Sequence, residues 1–153
     1  EGRLCGCGLK GCLETYASGT ALLLAARKLA ASGDAKGQRL KELASIDGEL
    51  TGEMVYQAIM EDDAGASELI AEVGHYLGAA IGSVFVPVLD PEIAVIGGGV
   101  SAVGEKLMSP IRQSFENSVP AKGYRPELKV VKATFLNQAG LIGAADLARQ
   151  AFA

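Results

Sequence analysis

Apolar residues at helical spacing dominate the first half of the chain. Residues 19–31 (GTALLLAARKLAA) are rich in alanine and leucine, which favour helix. We predict that this helix begins near Cys12 or Leu13 and ends at a serine-glycine pair, a common C-terminal cap. Two shorter helices are predicted at residues 39–45 and 51–60, the second with its first threonine as N-cap. This part of the chain is therefore expected to be mainly helical.

A longer helix is predicted at residues 66–86, where apolar side chains recur at helical spacing. Gly74, Gly78 and Gly82 fall on one face of it, although each costs roughly 1 kcal/mol of helix propensity relative to alanine. Such a row predicts that another backbone packs closely against this face. Residues 73–89 lack charged side chains, but their polar residues and the acidic residues on either side favour a buried core helix over a membrane span.

The last part of the chain changes pattern. Ile93 to Ile96 is a short apolar run, typical of a strand that is buried on both faces. The elements predicted after it are a glycine turn, a helix at 100–117 with a kink or new start at Ser109-Pro110, a strand at 128–134, and a helix at 139–152 capped by Asn137. A strand–helix–strand unit places its two strands parallel. The sequence therefore predicts a helix-rich α/β fold with a small parallel sheet, and two strands alone would make a thin one.

Composition and charge limit the function classes. The chain has 153 residues, and its 49% hydrophobic and 21% charged residues indicate a folded domain. The net charge of −4 and the absence of a basic stripe argue against nucleic acid as a first partner. Residue 1 is glutamate and not methionine, so we expect a piece of a longer protein. Three cysteines cannot all pair with one another, which indicates reduced thiols in a cytoplasmic protein.

The most informative motif is Cys5-Gly-Cys7-Gly8-x-x-Gly11-Cys12, which we call the cysteine knuckle (residues 5–12). Its glycines allow the positive φ angles that a backbone needs to turn around a single point. Several sulfurs in so short a turn suit one metal ion, and a redox pair or spare structural thiols are the alternative. At least one further ligand would have to come from elsewhere.

Two titratable residues outside the knuckle are candidates for chemistry. His75, the single histidine, lies in the middle of a predicted helix, so an ordinary interfacial or core histidine is favoured over a fourth metal ligand. Glu14 follows the last cysteine at the predicted start of a helix. Its carboxylate either complements the helix dipole or, held by the knuckle, accepts hydrogen bonds from a polar ligand such as a sugar.

Gly97, Gly98, Gly99 and Val100, which we call the glycine loop, join the first predicted strand to the next helix. Backbone N–H groups in such a turn can approach a base, a ribose or a phosphate. A mononucleotide site is favoured over a turn needed only for packing. A dinucleotide site is disfavoured, because the next strand (LKVVKAT) does not end in an acidic residue.

The string C-G-C-G-L-K-G-C-L-E-T-Y-A-S-G at residues 5–19 closely resembles the signature of the ROK family (repressors, open reading frames and sugar kinases), C-x-C-G-x-x-G-C-x-E. Residues 90–100 (DPEIAVIGGGV) resemble the family's adenosine-side strand and loop. Residues 139–145 (AGLIGAA) resemble its C-terminal helix. The resemblance covers the whole chain, which corresponds to about the second half of a family member.

The resemblance implies the C-terminal lobe of an actin-like ATPase (ribonuclease H-like) fold. Residues 1–153 would form a single domain with a zinc-knuckle segment (1–19), a helical segment (20–90) and a nucleotide-side strand–helix–strand–helix unit (91–153). The family's pattern implies structural zinc on Cys5, Cys7 and Cys12, with a histidine from an upstream glutamate-x-glycine-histidine motif. It further implies that Glu14 contacts the sugar and that the glycine loop, residues 97–100, approaches the nucleotide. The catalytic aspartate would not be in this chain.

As a whole, the sequence is most similar to the family's bacterial glucokinases. That similarity implies ATP-dependent phosphorylation of a hexose, glucose at its 6-hydroxyl, with Mg²⁺ accompanying ATP. This chain alone would then be inactive. A sugar-responsive repressor with an N-terminal DNA-binding domain is the main alternative, and only then would nucleic acid be a partner. A zinc-stabilised interaction module is a second alternative. We also expect a homo-oligomer, on the basis of exposed apolar surface and the glycines at 74, 78 and 82.

Overall fold

The computed structural model describes residues 2–135 and 138–152. The α-helices and strands of these residues are α1 (Glu14–Ala17), α2 (Gly19–Ala31), α3 (Gln38–Asp47), α4 (Gly52–Met60), α5 (Ala64–Ala80), α6 (Val86–Leu89), β1 (Ile93–Ile96), α7 (Glu105–Ser118), β2 (Lys129–Lys132) and α8 (Ala139–Ala151). Short 3₁₀ turns lie at Ala35–Gly37 and Gly99–Val103, and a π-helical turn, Ile81–Phe85, joins α5 to α6.

Local capping explains several of the predicted helices. Thr51 caps α4 by accepting the Met54 N–H at 3.3 Å, and Asp63 caps α5 by accepting the Ala66 N–H at 2.9 Å. Helix α3 ends at Gly48, whose φ of 85° is the left-handed conformation that glycine adopts readily. The helices predicted at 39–45 and 51–60 are thus confirmed, with small differences at their ends.

The predicted helix from Cys12 or Leu13 to residue 31 is interrupted. Ser18 has extended angles (φ −116°, ψ 166°), and its side chain accepts the Ala21 N–H at 3.1 Å, which starts α2 afresh. Helix α1 is therefore a single turn of four residues. The serine caps the new helix end, and this local bond overrides the helix propensity of its neighbours.

The helix predicted at 100–117 is also divided, but not at Pro110. The break lies at Gly104, which has a φ of 65° and separates the 3₁₀ turn from α7. Pro110 lies inside α7. The predicted restart at Ser109-Pro110 was therefore wrong, because a positive φ at Gly104 ends the first segment earlier. The predicted cap at Asn137 lies outside the described residues, and α8 begins after Gln138 without a side-chain cap.

The glycine row of α5 packs against α7. A Cβ on Gly74 would lie 2.7 Å from the Pro110 Cβ, and one on Gly78 would lie 2.2 Å from the Ile111 carbonyl oxygen. Gly82 continues the contact at the end of α7. The predicted close backbone approach is confirmed. The partner is a helix of the same chain, however, so the glycine row is not available for self-association and that part of the oligomer argument was wrong.

The apolar helical stretch Ala64–Leu89 is long and apolar enough, by length and composition, to cross a membrane. Its mean hydropathy is 1.5, and 39% of the window is buried within the described residues. Its glycine-lined face contacts α7, and Ile70 and Val73 belong to the core. These contacts favour the interpretation as a core helix of a folded domain.

Strands β1 and β2 form a parallel pair in which Ile93 lies opposite Lys129 and Ile96 opposite Lys132. The parallel strand–helix–strand arrangement is confirmed. Burial of β1 on both faces was wrong for the described residues, because Ile93 and Val95 are 51% and 57% exposed. The other two residues of the strand pack against the core, and no described element covers the opposite face.

One hydrophobic core unites α2 to α5, α7 and the inner face of the sheet. Its largest fully buried side chains are Leu40, Val55, Ile59, Ile70, Val86, Leu107, Met108 and Ile111. Helix α8 contributes no buried residue to this core. The cysteine knuckle and the glycine loop therefore lie at the edge of a body built mainly from helices.

Candidate functional site

The three cysteine sulfurs lie within 4.8 Å of one another. A tight hairpin brings them together: the Cys5 N–H donates to the Leu9 carbonyl at 2.8 Å, and Gly8 and Gly11 adopt φ angles of 89° and 80°. The Cys7 and Cys12 sulfurs are 3.6 Å apart. A tetrahedral zinc ion with Zn–S bonds of about 2.3 Å keeps its sulfur ligands about 3.8 Å apart. The knuckle thus fits one thiolate-bound metal ion.

The ionisation of Cys7 and that of Cys12 depend on their neighbours in the knuckle. Hydrogen bonding to the Leu9 backbone, followed by bonds to the other two thiols, lowers the pKa of Cys7. The interaction with Cys7, and then with Cys5, raises the pKa of Cys12 to about 11. Without a cation the knuckle therefore favours the thiolate form of Cys7 over that of Cys12. A metal ion would stabilise the other thiolates as well, since metal ligation requires deprotonated sulfur.

His75 lies on α5 at the contact with α7, where the Ser114 hydroxyl donates to the His75 carbonyl at 2.7 Å and lies 3.2 Å from its Nδ1. In the part of the chain that the structure describes, the metal-binding cluster contains the three cysteines and no histidine. The interfacial position predicted for His75 is confirmed by its contact with Ser114 of α7.

Glu14 is the first residue of α1 and lies two positions after Cys12. The turn between them is fixed by the Thr15 hydroxyl, which donates to the Cys12 carbonyl at 2.7 Å. The side chain of Glu14 is exposed. Among residues 2–135 and 138–152, no ion pair involves this carboxylate. It is an acceptor-only group that points into solvent from a braced segment.

The glycine loop follows β1, as predicted. Gly98 has a φ of 87° and a ψ of 172°, a conformation that side chains disfavour. Ser101, which is fully buried, fixes the turn from below: its hydroxyl donates to the Gly98 carbonyl at 2.7 Å and its N–H donates to the same oxygen at 3.1 Å. Removing the Ser101 hydroxyl would take away the shorter of these two bonds and leave the backbone N–H to hold the turn.

The segment that follows the cysteine knuckle meets the glycine loop where α2 begins. A Cβ on Gly19 would lie 3.2 Å from Cγ2 of Val100. Two open cavities flank this contact. The smaller, of about 440 Å³, lies beside residues 97–101 and Ser18. The larger, of about 590 Å³, lies between the start of α2, the start of α4 and Gly99. One junction thus separates two spaces large enough for ligands.

The larger cavity contains residues that the sequence motifs did not indicate. Its lining is mostly apolar, and its polar members are Thr20, Thr51, Glu53 and Tyr56. Among the described lining residues Glu53 is the one charged group. Glu53 and Tyr56 are three positions apart on α4 and share a face. The spacing alone could have paired them, but only the fold brings α4 beside the glycine loop.

Comparison with known proteins assigns this arrangement to a family. The sequence matches the ROK family over residues 1–151. This chain belongs to the ROK family. The family expected from the cysteine motif is therefore confirmed, and the match extends through the glycine loop and α8.

Relatives of this ROK chain include both kinases and a repressor. A glucokinase from Streptomyces coelicolor is 35% identical over 152 residues, which are 98% of this chain and 47% of that protein. The N-acetylglucosamine repressor of Escherichia coli O157:H7 is 30% identical over 150 residues, which are 98% of this chain and 34% of that protein. The ROK chain spans about half the length of its glucokinase relative.

A solved structure gives the same result for the fold. The crystal structure of a ROK family glucokinase from Streptomyces griseus, in complex with glucose and AMPPNP, matches with a TM-score of 0.86 and 37% identity. The match covers 97% of this chain and 48% of that one. The expected actin-like ATPase lobe, helix-rich with a small parallel sheet, is confirmed.

Proposed function

We propose that the full-length protein transfers the γ-phosphoryl group of ATP to a hexose, with glucose at its 6-hydroxyl as the first substrate to test. Membership of the ROK family, the glucokinase relatives and the solved relative with bound glucose and AMPPNP support this proposal. The chain spans about half of those relatives, so the activity is proposed for the full-length protein. The 153-residue chain alone is expected to be inactive.

The contact between Gly19 and Val100 is the structural observation on which the proposal depends. Enzymatic phosphoryl transfer consists chiefly of holding the acceptor hydroxyl and the γ-phosphate in line and neutralising charge. Glu14, one helical turn before this contact, offers a carboxylate to sugar hydroxyls. The glycine loop offers backbone N–H groups to a nucleotide. Both sides of such a reaction therefore lie within a few residues of one junction.

The knuckle supports the sugar side. Cys5, Cys7 and Cys12 would hold a structural zinc ion, which would rigidify the segment that carries Glu14. A fourth ligand is still expected from the upstream histidine of the family pattern. Mg²⁺ would accompany ATP and offset the charge of its phosphates. Glu14 then accepts hydrogen bonds from the hexose hydroxyls and orients the ring.

The larger cavity supports the nucleotide side. Its apolar walls suit a purine base, and the exposed ring of Tyr56 offers a surface for stacking. We propose that the carboxylate of Glu53 accepts hydrogen bonds from the ribose hydroxyls, the role that an acidic residue has in many nucleotide sites. Gly99 and Val100 line both cavities, so a nucleotide whose base lies in the larger cavity would extend with its phosphates towards the glycine loop.

Substitution of Glu14 by glutamine in the full-length protein tests the sugar side. Glutamine keeps the size and removes the charge, and hydrogen bonds to a charged group contribute about 1.5–3 kcal/mol. We expect kcat/KM for glucose to fall roughly 10- to 100-fold in a coupled ADP-release assay, with the KM for ATP unchanged. Glu127→Gln, at an exposed position before β2, is the matched control. Equal glucose turnover in both variants would contradict the proposal.

A sugar-responsive repressor is the second candidate, because the N-acetylglucosamine repressor aligns with nearly the whole chain. Hexose binding and DNA binding without ATP consumption would favour it. Calorimetry that shows no heat with either glucose or ATP would favour a zinc-stabilised interaction module.

We further propose a cytoplasmic homo-oligomer, for which the exposed apolar residues of β1 and α8 offer surface. A monomer by light scattering would count against the oligomer.

A further inference from the structure

The cysteine knuckle has little apolar anchorage of its own. Among residues 2–13, Cys5 alone is buried, and the leucines at positions 4 and 9 are about two thirds exposed or more. A segment with so few buried contacts opens easily unless other interactions hold it. Besides the proposed zinc ion and the hydrogen bonds within the hairpin, contacts at the base of the knuckle are needed to fix it, and with it Glu14, on the rest of the domain.

Arg3 and Tyr16 close that base. The Arg3 backbone N–H donates to the Tyr16 hydroxyl oxygen at 2.9 Å, and the Arg3 Nη1 donates to the Thr15 carbonyl at 3.0 Å. The Arg3 guanidinium lies over the Tyr16 ring, with its central carbon 4.5 Å from the ring centroid, in a cation–π contact. The chain just before the three cysteines is thus tied to α1 just after them.

The same two residues dock the base on α5. The Tyr16 ring packs against Tyr76, with centroids 4.9 Å apart and a tilt of 48°. Arg3 also pairs with Glu72, one turn earlier on α5, at 3.5 Å. Both members of that ion pair are about half exposed, so it contributes little. Tyr16 takes part in the hydrogen bond, the cation–π contact and the aromatic contact, which makes it the central residue of this base.

We propose that Tyr16 is a positioning residue that clamps the cysteine knuckle onto α5 and thereby orients the carboxylate of Glu14 towards the sugar. Glu14 and Tyr16 lie two positions apart in a helix of only four residues, so a shift of the tyrosine ring moves the whole turn. The part of this inference that concerns the sugar rests on the proposed hexose kinase function. The part that concerns the knuckle does not.

Two variants of Tyr16 in the full-length, zinc-loaded protein test the clamp. Tyr16→Phe keeps the ring contacts and loses the hydroxyl acceptor, and Tyr16→Leu loses all three interactions. We expect the KM for glucose to rise about fivefold in the first variant and roughly 30-fold in the second, with the KM for ATP constant within about twofold. Zinc release to a chelator should accelerate in the same order. Tyr124→Phe, at a position that is 94% exposed, should change nothing.

Several results would overturn the clamp. An unchanged zinc-release rate or an unchanged KM for glucose in Tyr16→Leu would do so. An equal rise in the KM for glucose and for ATP would indicate general loosening instead of positioning. If Tyr16→Leu does not fold, Tyr16→Phe decides. A KM for glucose in Tyr16→Phe that is no higher than in the Tyr124→Phe control would refute the role of the hydroxyl. If the wild-type protein phosphorylates no hexose, the proposed function fails, and zinc release still decides the clamp.

Discussion

Replacement of Gly78 by alanine tests how closely α5 and α7 pack. A Cβ at this position would lie 2.2 Å from the Ile111 carbonyl oxygen and 2.7 Å from the Phe115 nitrogen. Ordinary contacts of a Cβ begin near 3.4 Å, so the two helices would have to separate by about 1 Å. Both obstructing atoms belong to the backbone, so no rotation of a side chain can relieve the overlap.

The size of the effect follows from two opposing contributions. Alanine gains about 1 kcal/mol of helix propensity relative to glycine. Overpacking of a core typically costs about 1–3 kcal/mol, and a clash with backbone belongs at the upper end. Separation of the helices also loosens the contacts of Leu107 and Ile111, which are almost fully buried. We therefore expect Gly78→Ala to lower the free energy of unfolding by about 2 kcal/mol.

Urea unfolding, followed by far-ultraviolet circular dichroism, measures this loss. Gly52→Ala is the matched control, because Gly52 begins α4 and nothing lies within 4 Å of a Cβ there. The control should keep the stability of the wild type or gain up to about 1 kcal/mol. If Gly78→Ala proves as stable as Gly52→Ala, the reasoning about the glycine row is refuted.

Three further outcomes follow from other parts of the structure. Glu53→Gln should weaken binding of ATP about tenfold while leaving 2′-deoxy-ATP much less affected, and an equal loss for both nucleotides would contradict the ribose contact. In metal-free protein at neutral pH, iodoacetamide should alkylate Cys7 before Cys12, because hydrogen bonding lowers the pKa of Cys7 while the pKa of Cys12 is raised to about 11; peptide mass spectrometry would show the order. Asp90→Asn should destabilise the protein by about 1–2 kcal/mol, because it leaves the largely buried Arg125 without its carboxylate partner. Asparagine tolerates the left-handed backbone at this position, so the change tests the loss of the charge alone. Glu116→Gln, which removes the carboxylate of an exposed ion pair with Lys122, should cost less than about 0.5 kcal/mol in the same urea titration.

Sequence patterns predicted those features that depend on neighbouring residues. The glycine row predicted the close approach of α5 and α7, because glycines at helical spacing lack side chains and let another backbone pack directly against the helix. Thr51 marked the start of α4 through its own hydrogen bond. The strand, the glycine turn and the parallel pairing of β1 with β2 followed from an apolar run, a glycine triplet and a connecting helix.

Two kinds of feature were not predictable: the outcome of a competition between local signals, and features that depend on distant parts of the chain. The break at Ser18 is of the first kind. Its neighbours have high helix propensity, and the structure is needed to show that the capping hydrogen bond from the Ala21 N–H prevails over that propensity. The apolar run of β1 indicated burial, but its outer face has no cover among the described residues. Tyr56 and Glu53 became candidates only when the fold placed α4 beside Gly99.

Helix α1 also constrains how this part of the chain can vary. Between Cys12 and Gly19 the path consists of one helical turn and one extended residue, and both ends are fixed by contacts. Each inserted residue would rotate the turn by about 100° and lengthen it by about 1.5 Å. The stretch would therefore act as a spacer of set length between the two proposed substrate sites, and an inserted or deleted residue would move Glu14 relative to the glycine loop even if every side chain were kept.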